Sequence, residues 1–352
     1  MTMTRGVSVR DRDHMLLHTA GLWEALRGER IFMTGGTGFV GTWLVEAFVA
    51  ANQAYDLGAT AVLLSRDPDR FAARAPHLAN DRAVRLIAGD AVDFAPPDGR
   101  FAFVVHAATE RQNDGTAAQL QSLDRDTRAT RRVLEFARHA ETRRMLFTSS
   151  GAVYGNQPAD LARISETYSG APDPTDLRTA YGHGKRLSEF ACASYAHRYD
   201  FDVVIGRLFA FVGPHVPVGA GFAAGDFMAD ILRGGAIRIG GDGTTVRSYL
   251  YAADLAIWLW TLLLHGARGR AYNVGSPHAL TIRELAELMA AELAPGTPIE
   301  IAHQALPGAA GARYVPSVDR AEYELGLHVR VPLSDALRRT YEFYRGGGAQ
   351  GT

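Results

Sequence analysis

The chain has 352 residues, 47% of them hydrophobic and 21% charged, with 37 Lys and Arg against 38 Asp and Glu for a formal net charge of -1. That length accommodates a substantial core in one large domain or two smaller ones, and the balanced charge excludes a bulk electrostatic pull toward nucleic acid or membrane. Its one cysteine, Cys192, excludes an internal disulfide and a Cys-rich zinc site and fits a reducing, cytoplasmic compartment.

The segment before residue 30 is rich in Arg, Asp and His and lacks the continuous apolar core of a signal peptide. Within it, "HMLLHTAGLWEALRG" sets Leu16, Leu17, Trp23 and Leu26 at roughly helical spacing, which predicts a packing helix in an N-terminal extension over 1–27. From Ile31 onward, short runs rich in Val, Ile, Leu and Phe alternate with longer amphipathic segments: "RIFMTGG", "AVLLSRD", "AVRLIAGD", "FAFVVHAAT", "RRMLFTSSG" and "FDVVIGRLF" are the runs. Strands buried on both faces read this way, so the pattern predicts an α/β fold built on a doubly wound parallel sheet. After Arg207 the sequence turns rich in Gly and Pro, then passes through "LYAADLAIWLWTLLL" and a further strand, "AYNVGS", to helical segments near the end. The apolar stretch is shorter than the roughly 20 residues of a bilayer span and carries Asp254, so it predicts a buried helix and no membrane crossing. These shifts set a dinucleotide-binding domain at 28–207 plus 246–275 and a smaller C-terminal α/β substrate-binding lobe at 208–245 plus 276–345.

Between the first strand and the first long helix stands "TGGTGFVG". Glycine there weakens the helix and packs nothing, so something must come close to the backbone. Gly35, Gly38 and Gly41 at that position allow a tight turn, the approach of a pyrophosphate and close helix-on-strand packing, which predicts a bound dinucleotide. The second strand ends in Ser65 and Arg66, with Asp67 one step later. An arginine there accommodates the extra phosphate of NADP and an acid holds the ribose diol of NAD; the order favours NADP(H) and leaves NAD(H) open. Asp90, closing "LIAGD", suits an adenine contact, or a cap or turn.

In "TAYGHGKRLSE", Tyr181 and Lys185 lie one turn apart on one helix face. A free tyrosine titrates at about 10, too high for a base at neutral pH, and a nearby ammonium, helped by a positive nicotinamide ring, favours the phenolate. The strand end "MLFTSSGAVYG" adds Ser150, a hydroxyl for the same substrate oxygen.

Taken together, "TGGTGFVG", "HAA" at 106 to 108, "SSGAVYG", "YGHGK" and "GDGTTVRSYLYAADLA" resemble the extended short-chain dehydrogenase/reductases, specifically the NAD-dependent epimerase/dehydratase family acting on nucleotide sugars. The likeness runs from Arg30 to about Gly326. It implies a Rossmann-type domain holding NAD(P), a catalytic set of Ser150, Tyr181 and Lys185, a lobe gripping a nucleoside-diphosphate sugar, and a homodimer. It places Gly35, Thr37, Gly38, Phe39, Val40, Gly41, Ser65, Arg66, Asp90, Ala91, His106, Ala107 and Ala108 around the cofactor, together with Tyr181 and Lys185. Thr109, Glu110, Ser150, Arg247 and Arg313 fall to the substrate, with Arg247 pairing the diphosphate in the bidentate geometry that suits guanidinium.

The sequence departs from the family pattern in ways that narrow the chemistry. Sugar 4,6-dehydratases carry an acidic pair after the catalytic hydroxyl, where this chain has Gly151 and Ala152; proton abstraction and water loss then lack their acid and base. Nucleotide-sugar decarboxylases, which keep a Glu in this stretch, are disfavoured for the same reason. Glu110 as a substitute ranks behind a salt-bridge role. Ala210 replaces the family's usual Asn, and Leu306 its usual basic residue, so the sugar is held differently. No metal site is expected, because no histidines pair with carboxylates at ligand spacing. The expected activity is hydride transfer at hexose C4 of a nucleotide sugar, as 4-epimerase or 4-keto-sugar reductase. A dehydratase with a non-standard acid and base, or a non-catalytic NAD(P)-binding sensor, is the alternative.

Overall fold

A computed structural model describes residues 6–109, 116–305 and 311–346. Seven strands form its main sheet: β1 Arg30–Thr34, β2 Thr60–Ser65, β3 Val84–Ala88, β4 Phe103–His106, β5 Arg144–Ser150, β6 Asp202–Leu208 and β7 Ala271–Val274. They run parallel in the order β7-β6-β5-β4-β1-β2-β3. This is the Rossmann-type arrangement that the apolar runs predict. The order reverses between β1 and β4, so the connections leaving those strands diverge and open a crevice at their carboxyl ends.

Because strand side chains alternate between faces, β1 divides its residues between two cores: Ile31 and Met33 join one, Phe32 the other. On the first face lie the glycine-loop helix Phe39–Ala54 and the helix Ala252–His265, bringing Trp43, Phe48 and Trp260. On the second lie the helices Thr116–His139 and Ala180–Arg198, with Phe94, Phe101 and Phe136 clustered around Phe32.

The stretch around Asp254 is the buried helix expected, with residues 252–264 all out of solvent. Asp254 survives there because His14 Nε2 lies 2.8 Å from one carboxylate oxygen and the backbone N–H groups of Arg330 and Val331 donate to the other. The N-terminal helix Val9–Thr19, capped by Ser8, is therefore tied to the core. Its buried face differs from the one predicted. Met15 is buried and Leu17 is 72% exposed, because the helix stops at Thr19 and a separate turn, Trp23–Leu26, carries the later apolar pair.

A C-terminal α/β region completes the chain. It includes a small sheet of Leu280–Thr281, Val246–Arg247 and Arg313–Tyr314, and the helices Ile282–Leu293 and Leu333–Gly346. Among the described residues, no helix is long and apolar enough to cross a membrane.

Candidate active site at the carboxyl ends of the strands

The glycine loop leaves β1 and enters its helix through three glycines with different tasks. Gly35 has φ +71°, a conformation that favours glycine, and a Cβ on it would fall on the carbonyl of Ala107 and the nitrogen of Ala108, just beyond β4. A Cβ on Gly41 would strike the backbone of Gly35 and Gly36, so Gly41 permits close helix-on-strand packing. Gly38 is different: its Cβ would meet only Gly35 O, at 3.3 Å. The loop is open on that side, and the helix starting at Phe39 has no side-chain cap on its first N–H groups. Donors without internal partners at a helix start, facing open space, fit the pyrophosphate of a dinucleotide. Phe39 stacks on Phe211 with ring centroids 5.2 Å apart, while Val40, next to it, is partly buried.

Ser65 is buried at the end of β2, its Oγ 3.3 Å from Thr37 Oγ1 in the loop and accepting from Asp67 N. Arg66 stands exposed beside it. Asp67 caps the next helix, accepting from Arg70 N at 2.9 Å. A residue not foreseen from sequence, Arg74, reaches back from that helix to the carbonyl of Thr37 at 2.5 Å. Asp90 accepts from Val92 N and pairs with Arg125 at 2.5 Å. Burial raises its pKa, but Val92 N–H, Arg125 and Arg66 outweigh that and hold it below the usual carboxylate range. Ala91 follows it, half-buried.

His106 ends β4 and is 1% exposed, with Nδ1 2.6 Å from Thr34 Oγ1 and Nε2 3.1 Å from Thr130 Oγ1. Burial, and secondarily the Lys185 charge, push its pKa down to about 3. A ring with both nitrogens occupied and no charge at neutral pH braces the strand ends and does no proton chemistry. Ala107 and Ala108 follow, half-buried against the loop, and Thr109 Oγ1 donates to Asp126 at 3.3 Å. Glu110 and Leu306 lie outside the described residues.

The catalytic candidates gather at the end of β5. Ser150 closes that strand, 8% exposed, its Oγ accepting from Ala152 N at 3.1 Å. Lys185, 2% exposed, donates from Nζ to the Thr148 carbonyl at 3.3 Å, and that nitrogen lies 5.7 Å from the centre of the Tyr181 ring. Gly182 explains how the helix Ala180–Arg198 comes so close to Ser150. A Cβ there would meet the Ala152 carbonyl at 2.6 Å, and an interior helical glycine costs about 1 kcal/mol against alanine, a cost that this approach offsets. His183, near the same helix start, has Nε2 3.3 Å from the Asp173 carbonyl.

Beneath these groups runs a buried polar chain that the sequence did not reveal. Ser149 Oγ donates to Glu189 at 2.6 Å, Arg207 grips the same carboxylate from Nε and Nη2, and Arg207 Nη1 donates to Tyr154 Oη at 2.8 Å. Burial pushes Tyr154 up to about 12, so it stays protonated and donates to Asn273 Oδ1. Glu189 sits four residues after Lys185, and that spacing on one helix was the available signal.

On the substrate side, Arg247 is half-buried, and among the described residues no carboxylate lies within ion-pair distance of it. Loss of hydration lowers its pKa, and its Nη1 donates to the Val246 carbonyl at 3.0 Å. Arg313 and Arg247 belong to adjacent strands, with Arg313 opposite Val246 and Tyr314 opposite Arg247. The pleat therefore turns Arg313 to the other face from Arg247, where its Nε donates to the Ala162 carbonyl at 3.3 Å. Tyr314, also absent from the sequence expectations, takes the place beside Arg247, its ring centre 5.6 Å from the guanidinium carbon. Among the described residues no cluster of His, Cys, Asp or Glu could hold a metal ion.

The sequence model of the family described as the NAD dependent epimerase/dehydratase family matches residues 31–275. UDP-glucuronic acid decarboxylase 6 of Arabidopsis thaliana is 30% identical over 202 residues, covering 57% of this chain and 57% of its own length. UDP-glucuronic acid decarboxylase 1 of Danio rerio is 25% identical over 317 residues, 90% of this chain and 72% of its own. Among solved structures, the dTDP-glucose 4,6-dehydratase DesIV of Streptomyces venezuelae, with NAD bound, superposes with a TM-score of 0.76 at 27% identity over 90% of this chain and 97% of its own.

Proposed function

Because the chain belongs to the NAD dependent epimerase/dehydratase family, we propose that it is an NAD(P)-dependent nucleotide-sugar oxidoreductase acting at hexose C4, as a 4-epimerase or a 4-keto-sugar reductase. What supports this reading is Ser150 at the end of β5, with Lys185 Nζ 3.3 Å from the Thr148 carbonyl of the same strand and 5.7 Å from the centre of the Tyr181 ring, and no side chain at 151. A Cβ on Gly151 would lie 2.6 Å from Tyr314 Oη and 2.7 Å from Phe209 Cζ, so a carboxylate at that position has no room. Elimination of water lacks its usual group there, and proton exchange on a sugar oxygen has all of its own.

The nicotinamide, when bound, supplies hydride chemistry at the sugar carbon. Gly35, Thr37, Gly38, Phe39, Val40 and Gly41 would hold its pyrophosphate end, and Asp90 and Ala91 the adenine end. His106 to Ala108 form the wall beside the loop. The preference for NADP(H), with NAD(H) possible, rests on Arg66 at the end of β2 and on Asp67 being engaged as a helix cap. Tyr181 exchanges a proton with the sugar oxygen, Ser150 donates a hydrogen bond to that oxygen, and Lys185 supplies positive charge on the face Tyr181 occupies. Arg247 binds the diphosphate as a guanidinium fork, and Thr109 lines the approach.

The names of the curated relatives favour a second reading, loss of carbon dioxide from a UDP-linked uronic acid after oxidation at C4. One experiment separates the outcomes. The purified protein is scanned for the absorbance of bound reduced cofactor and then given UDP- and dTDP-sugars, 4-keto sugars and UDP-glucuronic acid, with NADPH or NADH. Stoichiometric loss of NADPH selects the reductase, an isomeric sugar without net loss selects the epimerase, and released carbon dioxide selects the second reading. No turnover with any of them refutes the proposal. We propose further that the chain forms a homodimer through the helices Thr116–His139 and Ala180–Arg198. Leu187 and Phe190, one turn apart on the latter, are 53% and 73% exposed, and large apolar side chains grouped in this way mark association surfaces.

A further inference from the structure

The two nicotinamide dinucleotides differ at the 2′ position of the adenosine ribose, where NADP carries a phosphate, and in a Rossmann-type domain that position lies by the end of the second strand. In this chain the glycine loop comes to the same place: Thr37 Oγ1 stands 3.3 Å from Ser65 Oγ, at the end of β2. Asp67, the acid that could hold a free ribose diol, is engaged as the cap of the next helix and accepts from Arg70 N.

Into this corner reaches Arg74. The helix Pro68–Arg74 returns its last side chain to the loop, where Nη2 donates to the Thr37 carbonyl at 2.5 Å and to Thr42 Oγ1 at 3.1 Å. A guanidinium has five N–H donors, so these two bonds use Nη2 and leave those of Nη1 and Nε for another acceptor. The residue is exposed, and among the described residues no carboxylate lies within ion-pair distance of it. Its partners are neutral oxygens, which fix the side chain and do not cancel its charge. Arg70 lies four residues earlier on the same helix, and like charges at that spacing repel until an anion joins them. The charge of Arg66 reaches Asp90 on the adenine side, and Arg74 brings a second cation to the loop side.

We propose, resting on the assignment of the glycine loop and the end of β2 to NADP(H) given above, that Arg74 is a cofactor-selectivity residue: anchored on the loop through Nη2, it presents its charge and remaining donors to the 2′-phosphate. Two features suit it to that task. Guanidinium pairs strongly with phosphate oxygens, through charge-assisted hydrogen bonds. An arginine already held by Thr37 and Thr42 also loses less conformational freedom on binding than one loose in solvent. The same bond to the Thr37 carbonyl ties recognition of the 2′-phosphate to the loop that holds the pyrophosphate.

Calorimetric titration with NADPH and with NADH tests the assignment, on the parent protein and on Arg74→Gln and Arg74→Lys. The parent is expected to bind NADPH more tightly. In Arg74→Gln the ratio of NADPH to NADH affinity is expected to fall at least about tenfold, the loss of one hydrogen bond to a charged group, with melting temperature unchanged. Arg74→Lys, which keeps the charge and not the planar donors, is expected to fall between the two. A residue that only braced the loop would lower both affinities by the same factor, since both dinucleotides share the pyrophosphate. That result, or unchanged affinities, overturns the proposal. The parent separates the two claims. A parent without preference for NADPH defeats the reading of β2 and this role with it; a parent that prefers NADPH, with the ratio kept in Arg74→Gln, defeats this role alone.

Discussion

Two glycines three residues apart should respond in opposite ways to the same added methyl group. In Gly35→Ala, a residue at φ +71° acquires a Cβ, which costs about 1–2 kcal/mol for the left-handed backbone. The methyl also falls on the Ala107 carbonyl, and overpacking of that kind costs about 1–3 kcal/mol more; the sum is a loss of roughly 2–5 kcal/mol. Gly38 has φ -81° and ψ -176°, open to any residue, and its Cβ would touch only Gly35 O at 3.3 Å. Gly38→Ala should therefore cost no more than the roughly 1 kcal/mol by which alanine is a poorer N-cap than glycine. Its methyl, however, occupies the side from which a pyrophosphate must come, and dinucleotide affinity should fall at least about 100-fold, near 2.7 kcal/mol. Urea denaturation measures the first quantity and calorimetric titration with NADPH and NADH the second. If Gly38→Ala binds dinucleotide as well as the parent, or loses as much stability as Gly35→Ala, the assignment of the loop is wrong.

His106 should leave a signature in acid. Burial lowers its pKa from 6.5 to about 3, so between those values the unfolded chain takes up a proton that the folded state refuses. Its contribution is complete above the unfolded pKa and is lost as pH falls through the window, on the order of 5 kcal/mol across it. His106→Gln, which does not titrate, should show a flatter stability profile from pH 6.5 downward in denaturant melts; an unchanged slope would contradict a buried neutral imidazole. For association, Phe190→Arg is expected to convert a dimer to a monomer in sedimentation equilibrium with cofactor binding retained. A parent protein that is monomeric, or a variant that stays dimeric, would remove that helix from the interface.

Features confined to a short window were legible in the sequence, and those built across distance were not. The glycine loop, the Tyr181–Lys185 spacing and the burial of the helix around Asp254 each follow from local pattern, since periodicity and glycine placement act over a turn or two of chain. The carboxyl partner of His14 could not be read, because Asp254 lies 240 residues away. The helical spacing of Leu16, Leu17, Trp23 and Leu26 predicts one packing helix, whereas in the structure the helix ends at Thr19 and Trp23–Leu26 forms a separate turn. Tyr314 stands beside Arg247 through the register of two strands far apart in the chain, and the Glu189–Arg207 pair joins a helix to a separate strand; neither follows from a local pattern. Gly151 was legible only as an absence. The reason for it, a phenol and a phenyl ring in the space its side chain would take, required the fold.

The central claim is that Tyr181 works on an oxygen borne by the carbon that gives or takes hydride. Deuterium on the carbon that gives hydride tests it most directly, placed at sugar C4 for a 4-hydroxy sugar and at nicotinamide C4 of the reduced cofactor for a 4-keto sugar, and compared with the unlabelled reactant in the parent protein and in Tyr181→Phe. The account predicts slower turnover of the labelled reactant by the parent and none by the variant. Equal rates for labelled and unlabelled reactants in single-turnover measurements, or full activity in Tyr181→Phe, would contradict it.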